Sequence, residues 1–250
     1  MVITDCSATN MDFITLFHIF RATLKPDMQF RQFKAYYNSG KLEYIDATLV
    51  LAGEIVVGFC AAAFYSTVIN GGQYTVGRAA TGILPDYRGN KLPKWKLYLK
   101  YIRYWLRHPF RKTILSAYVA NPLIYAMICK YTGIAYPRRG TEPPKDIVVI
   151  KEELVKSQNL HKTEHPFVVE IHFCVEIGEK EQERIFKSKN KDVIYYLRIN
   201  PKFRNQHGVI VLIPINLKNV MLSILRFLYY GILVKIIMQL AAWLQKGALP

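Results

Sequence analysis

The chain has 250 residues, 51% of them hydrophobic and 13% aromatic, enough apolar material for a large packed core, which excludes a globally disordered protein. Its 34 lysines and arginines against 18 acidic residues leave a formal charge of +16. An anionic partner is therefore expected: a phosphate-bearing cofactor, an acidic carrier protein, an anionic lipid surface or a nucleic acid. The four cysteines, Cys6, Cys60, Cys129 and Cys174, form no CxxC pair, which argues against a zinc ribbon or a disulfide framework and fits a reducing compartment. The opening stretch MVITDCSATNMDF has no basic n-region and no long apolar run, so no secretory signal is expected and a cytoplasmic location is the default.

Residues 10–37 read as two short helices, the first carrying Phe13, Leu16, Phe17 and Phe20 at helical spacing, with Pro26 between them. From Tyr44 the period changes to that of strands, expected at 45–51, 54–68 and 73–84. The turns between them, AGE and NGG, suit the positive φ angles of tight hairpins. Residues 93–107, PKWKLYLKYIRYWLR, form the clearest helix, with Pro93 at its first position. One stripe of it holds Trp95, Leu99, Ile102 and Leu106, and another Lys96, Lys100, Arg103 and Arg107. A buried strand is expected at 112–120, followed by a helix at 121–133 opened by Asn121 and stopped by Gly133.

YPRRGTEPPKD at 136–146 marks a Pro-rich boundary. Beyond it, strands are expected at 167–177, 192–200 and 208–215, with 178–191 as a solvated connection. The segment 219–244 is, after its first residue Asn219, apolar but for Ser223, Arg226, Lys235 and Gln239. Its length approaches a bilayer span of about 20 residues, yet two internal basic residues cost roughly 2.5–3.5 kcal/mol each near the centre. A helix buried in the fold or resting in a membrane interface is therefore expected instead.

The chemistry-bearing stretch is TGILPDYRGNKLPKW, an apolar strand running through a basic glycine loop into a helix. A helix N-terminus offers unpaired N–H groups and a positive partial charge. A glycine lets the backbone approach a pyrophosphate, and Arg88 can add a charge-assisted hydrogen bond. This order of strand, basic loop, helix, strand and Asn-capped helix, over residues 10–135, resembles the GNAT superfamily of acyl-CoA-dependent N-acyltransferases. The first family motif corresponds to Ile83-Leu84-Pro85-Asp86-Tyr87-Arg88-Gly89-Asn90-Lys91-Leu92-Pro93, the second to Ala120-Asn121 followed by PLIYAMICKYTG.

The resemblance implies an α+β fold with a mixed, largely antiparallel sheet flanked by helices. Residues 1–135 would form the thioester-binding core and 136–218 the strands completing the sheet. A terminal apolar helix at 219–250 would be buried or membrane-peripheral. It also implies an acyl thioester donor, held by Arg88, Gly89, Asn90, Lys91 and Asn121, with Ile83 and Leu84 pairing with the pantetheine arm. The acceptor would be an amine on a small molecule or peptide, and no metal is needed.

Three positions depart from the family. Lys91 and Pro93 stand where small residues are usual, and Pro93 removes an amide from the phosphate cradle. Cys129 stands where the family often has the tyrosine that protonates the departing thiolate, leaving Tyr125 and Tyr131 as the nearest phenols. The donor is therefore open between CoA and the single-phosphate phosphopantetheine of an acyl carrier protein. An acidic carrier would suit the basic stripe, since residues 86–112 hold nine Lys or Arg against one Asp. The small residues of GFCAAAF and the apolar C-terminal helix would suit a long acyl chain.

Arg78, in an otherwise small and apolar strand, is a candidate for an acidic substrate group or a solvent-facing hairpin residue. Glu170, His172 and Glu176 share a strand face and could line a pocket or form a wet side. The competing reading is a non-catalytic, basic, membrane-peripheral or carrier-binding protein on a degenerate version of the same fold. No helix-turn-helix, zinc-finger or RNP-like stretch accompanies the charge, so nucleic acid is not expected.

Overall fold

The two turns adopt the conformations their residues favour: Gly53 has φ +64°, Asn70 +48° and Gly71 +74°, left-handed values that glycine and asparagine reach at little cost. They join β2 (Lys41–Ala52), β3 (Ile55–Ile69) and β4 (Gly72–Ile83) into an antiparallel meander. The computed structural model describes residues 3–7, 13–24, 29–31, 41–87, 94–158, 160–171 and 177–233. Within them β1 (Ile3–Ser7) adds an antiparallel edge to β2. On the other side β5 (Lys112–Val119) lies parallel to β4. Beyond β5 come β7 (His207–Ile215) and then the short β6 (Val168–Glu170), both antiparallel. The order β1-β2-β3-β4-β5-β7-β6 makes one seven-stranded, largely antiparallel sheet, flanked by helices in the α+β arrangement expected.

One sheet face is covered by α1 (Phe13–Leu24), whose Phe17, Ile19 and Phe20 pack on Ile45, Ala47, Phe59, Ala61 and Ala63. The same face receives α4 (Lys145–Ser157) over Val76, Ile114, Ile210 and Leu212. The opposite face carries α2 (Lys94–Arg107), α3 (Pro122–Tyr131), α5 (Glu179–Phe186), α6 (Lys191–Ile199) and α7 (Leu217–Leu228).

Two expectations are corrected. Residues 192–200 are helix α6, because Asn190 caps Asp192 N at 2.8 Å and Val193 and Tyr196, three apart, both reach the core. The connection 178–191 contains α5, held by a single fully buried anchor, Ile185. Of the small residues in β3, Ala61 and Ala63 pack against α1, and Ala62 against Tyr101 and Tyr104 of α2.

The orientation of α2 is set by its partners on β2 and β3. Its leucine stripe does not face the core, since Leu99 is exposed and Leu106 is 64% exposed. Tyr101 and Tyr104 are buried instead, with Tyr104 stacked on Phe64 at 3.8 Å between ring centroids. Lys100 leaves the basic stripe and pairs with Asp46 of β2, their side chains 8% and 12% exposed. At the end of α2, Glu43 accepts hydrogen bonds from Tyr104 (2.7 Å), Arg111 (2.6 Å) and Ser66. Polar groups on β2 therefore choose which face of α2 turns inward.

Breaking the Lys100–Asp46 pair from one side leaves a buried charge without its partner, at a cost of roughly 3–5 kcal/mol. Lys100→Met should lower the urea midpoint accordingly, and adding Asp46→Leu should recover most of the loss. Burial alone would raise the Glu43 carboxyl, but the hydrogen bonds from Ser66 and Tyr104 and the Arg111 guanidinium outweigh it and hold it below its ordinary 4.5. A depressed carboxylate stabilises the fold above its unfolded value and loses that contribution as pH falls through the folded one. Glu43→Gln should therefore unfold more easily than the parent at pH 7, and the gap should close as acid titration passes below 4.5.

Candidate active site

β4 and β5 part company halfway along. Their parallel ladder runs from Tyr74–Lys112 to Arg78–Ser116 and stops there. Past that rung β4 keeps pairing with β3 as far as Ile83–Gly58. β5 keeps pairing with β7 as far as Val119–Val209. A fork opens between Ala79–Ile83 on one side and Ala117–Val119 on the other. In an antiparallel ladder alternate residues turn their backbone groups to opposite neighbours. Every second residue of Ala79–Ile83 thus presents N–H and C=O to the gap, with small side chains, Ala79, Ala80 and Gly82, around it.

Close packing clamps the base of the fork. Ser116 Oγ donates to the carbonyl of Gly77 at 3.4 Å, and a Cβ on Gly77 would meet Leu115 at 2.5 Å. Arg78 stands on the last paired rung, half-buried, its guanidinium 4.7 Å from the Tyr65 ring centroid.

At the open end, Leu84 donates its N–H to Val57 (2.9 Å) and accepts from Tyr87 N (3.0 Å). Both backbone groups of Leu84 are therefore engaged within the fold, on the β3 side and in the turn that follows. The edge of β4 beyond its ladder with β5 thus ends before Leu84. Arg88, Gly89, Asn90 and Lys91, with Pro93, lie outside the described residues. The chain leaves β4 through the 3-10 turn Pro85–Tyr87 and resumes at the N-terminus of α2.

On the other prong, Asn121 caps α3 as its place before Pro122 implies. Its Oδ1 accepts from Leu123 N at 2.8 Å, and its Nδ2 donates to Glu181 at 3.0 Å. Its side chain thus fixes the turn from β5 into α3, with both ends spent on the protein.

Tyr125 is fully buried and donates its hydroxyl hydrogen to the carbonyl of Pro137 at 2.9 Å. Burial pushes its phenol far above the usual range. Cys129, one turn on, is also fully buried, and burial pushes its thiol up to about 11. Both side chains pack among Val119, Tyr196, Val209 and Val211, so neither Tyr125, the expected proton donor, nor Cys129 faces solvent. Glu170 is exposed on β6, while His172 and Glu176 lie outside the described residues. A cleft of about 310 Å³ lies away from the fork, at the C-terminal end of α3, and includes Arg138 and Arg226. Those two guanidinium groups already bond the carbonyls of Cys129 and Thr132.

No family model and no curated protein matches the sequence. Among solved structures, Arabidopsis thaliana NAA60 in complex with acetyl-CoA is similar at 18% identity and TM-score 0.37, over 56% of this chain and 93% of that one. The ribosomal-protein-S18-alanine N-acetyltransferase of Escherichia coli is similar at 11% identity and TM-score 0.39, over 86% of this chain and 96% of that one. A chain of the NatC complex bound to Gag peptide and CoA gives 11% identity and TM-score 0.39, over 86% and 100%. Among the described residues, the strand order, the one parallel pair and the fork define this chain's α+β fold.

A thiol with its pKa raised to about 11 is almost wholly protonated at neutral pH. Alkylation read by mass spectrometry should leave Cys129 unmodified in the native protein and label it only after denaturation. Tyr125→Phe should cost about 1–3 kcal/mol, because it strands the Pro137 carbonyl.

Proposed function

We propose that the chain is an N-acyltransferase that moves an acyl group from a coenzyme A thioester to an amine. The observation that carries this reading is the fork. A pantetheine arm is an extended chain with two amides, and the gap-facing edge at Ala79–Ile83 can hydrogen-bond it as an added strand while β5 stands aside. The arm would run toward the start of α2, where Arg88, Gly89, Asn90 and Lys91 would receive the phosphates. There the N-terminal dipole and the basic side chains favour negative charge. The carbonyl carbon would then sit near the base of the fork. An amine in its neutral form attacks it, the C–S bond breaks, and the departing thiolate takes up a proton. Arg78, on the last rung, is placed to attract an anionic group on an acceptor, whether small molecule or peptide.

Free CoA is preferred here over an acyl carrier protein as donor, because Lys100 is withdrawn into a buried ion pair and the basic stripe of α2 is broken. One observation favours the competing reading of a non-catalytic, basic, membrane-peripheral or carrier-binding protein on a degenerate version of the fold. Tyr125, expected to supply the proton, and Cys129, at the position where the family often has that tyrosine, are both sealed in the core.

The two readings separate by experiment. A ligand at 100 times its dissociation constant stabilises the folded state by about 2.7 kcal/mol, so acetyl-CoA should raise the melting temperature. Arg88→Ala should weaken binding about tenfold, the worth of one charge-assisted hydrogen bond. Release of free CoA in the presence of an amine panel then distinguishes transfer from binding alone. An unshifted melting temperature with acetyl-CoA, CoA and longer acyl-CoAs would remove the thioester reading altogether.

A further inference from the structure

Helix α7 is amphipathic in the inverted sense. Its polar residues Asn219, Ser223 and Arg226, spaced i, i+4 and i+7, face the protein. Asn219 bonds Ile134 through both its amide groups (2.6 and 2.9 Å), Ser223 accepts from Gly133 N (3.0 Å), and Arg226 donates to Cys129 O and Thr132 O (3.0 and 2.9 Å). A Cβ on Gly133 would meet Leu222 at 2.5 Å, so the polar face of α7 sits tightly on the end of α3. The outward stripe is apolar: Leu217, Met221, Ile224, Leu225, Leu228 and Ile232 recur at helical spacing and are all exposed.

α2 also leaves apolar side chains outward, although it buries Tyr101 and Tyr104. Val220 of α7 packs against the cluster of Tyr101, Tyr104, Leu115 and Ile215, so both helices cover one face of the sheet. There Leu99 and Leu106 are exposed, and Phe110, just past the helix, is 99% exposed. Beside them Arg103, Arg107 and Lys218 are exposed.

We propose that this face, the outer sides of α7 and α2, docks in the interface of an anionic lipid bilayer. An apolar stripe with basic flanks is the pattern of a helix lying in the interfacial plane, and anionic headgroups attract each nearby lysine or arginine. Charge decides against a second copy as the occupant, since a self-contact would set +16 against +16. The sequence that follows, VKIIMQLAAWL from Val234 to Leu244, adds more apolar material. Among the described residues no helix is long and apolar enough to cross a membrane. Arg226, which in sequence interrupts the apolar segment, faces α3 instead of the lipid. The proposal stands apart from the acyl-transfer reading.

Sedimentation of the full chain with phosphatidylcholine vesicles, with and without 30% phosphatidylserine, tests it. Binding to the anionic vesicles is expected, with much weaker binding to the neutral ones. Leu225→Glu with Leu228→Glu should reduce binding roughly tenfold or more. Arg103→Ala and Arg107→Ala should each reduce it about fivefold and weaken its salt dependence. All four substitutions fall at exposed positions, and circular dichroism verifies that the variants are folded. No sedimentation with either vesicle, or equal sedimentation of the Leu225→Glu, Leu228→Glu variant, would overturn the proposal. So would a dimer in lipid-free buffer that the same variant converts to monomer, because the face would then belong to a second copy.

Discussion

The fork between β4 and β5 is the constraint around which the rest of the molecule is arranged. Leaving two neighbouring strands unpaired wastes backbone hydrogen bonds, so each prong must be held from its other side. β4 is held by β3 along every rung to Ile83 and by α1, whose Thr23 comes so close that a Cβ on Gly82 would meet its Oγ1 at 2.2 Å. β5 is held by β7 and turned away into α3 by Asn121. The two prongs belong to two separate apolar clusters, one under α1 and one under α3 and α6. Neither cluster gains by closing the gap.

The closed half of the fork depends on a different chemistry. Around its base, β2 contributes Asp46 and Glu43, which bind Lys100, Tyr104 and Arg111. Buried ion pairs are poor sources of net stability but strong selectors of one arrangement over another. Here the selection fixes the rotation of α2 about its own axis. That rotation buries Tyr101 and Tyr104 against Phe64 and leaves Leu99, Arg103, Leu106 and Arg107 on the outside.

This division explains what the sequence reveals and what it hides. The meander of β2, β3 and β4 is legible because AGE and NGG admit few conformations, and α3 because Asn121-Pro122 is a strong helix start. The facing of α2 is not legible. Leu99 and Leu106, Lys100 and Arg107, and Tyr101 and Tyr104 make three stripes of equal helical quality, and the choice among them lies with Asp46 and Glu43, more than fifty residues earlier. Residues 192–200 mislead because DVIYYLRIN is rich in β-branched and aromatic side chains. Tertiary burial of Val193 and Tyr196 on a capped helix outweighs that propensity. The spacing of Ile147, Ile150, Leu154 and Val155 does carry a helical signal for α4, obscured by the prolines just before it. At the site, the strand ends and the cap are readable from local pattern, whereas the sealing of Tyr125 and Cys129 depends on α6 and β7, distant in sequence.

Arg226 shows why counting charges along an apolar segment misjudges it. In sequence it breaks a hydrophobic run; in the fold it sits on the carbonyl end of α3, where the helix dipole favours a cation. Burial lowers its pKa, and so does the neighbouring Arg138 guanidinium, yet the carbonyls of Cys129 and Thr132 give it partners. Its charge is thereby used to fasten α7 with the apolar side outward. The same ten-residue helix, α3, starts at the fork through Asn121 and ends under α7. At about 1.5 Å per residue it spans about 15 Å, so one short helix joins the turn that opens the fork to the contacts that hold the apolar stripe of α7 outward.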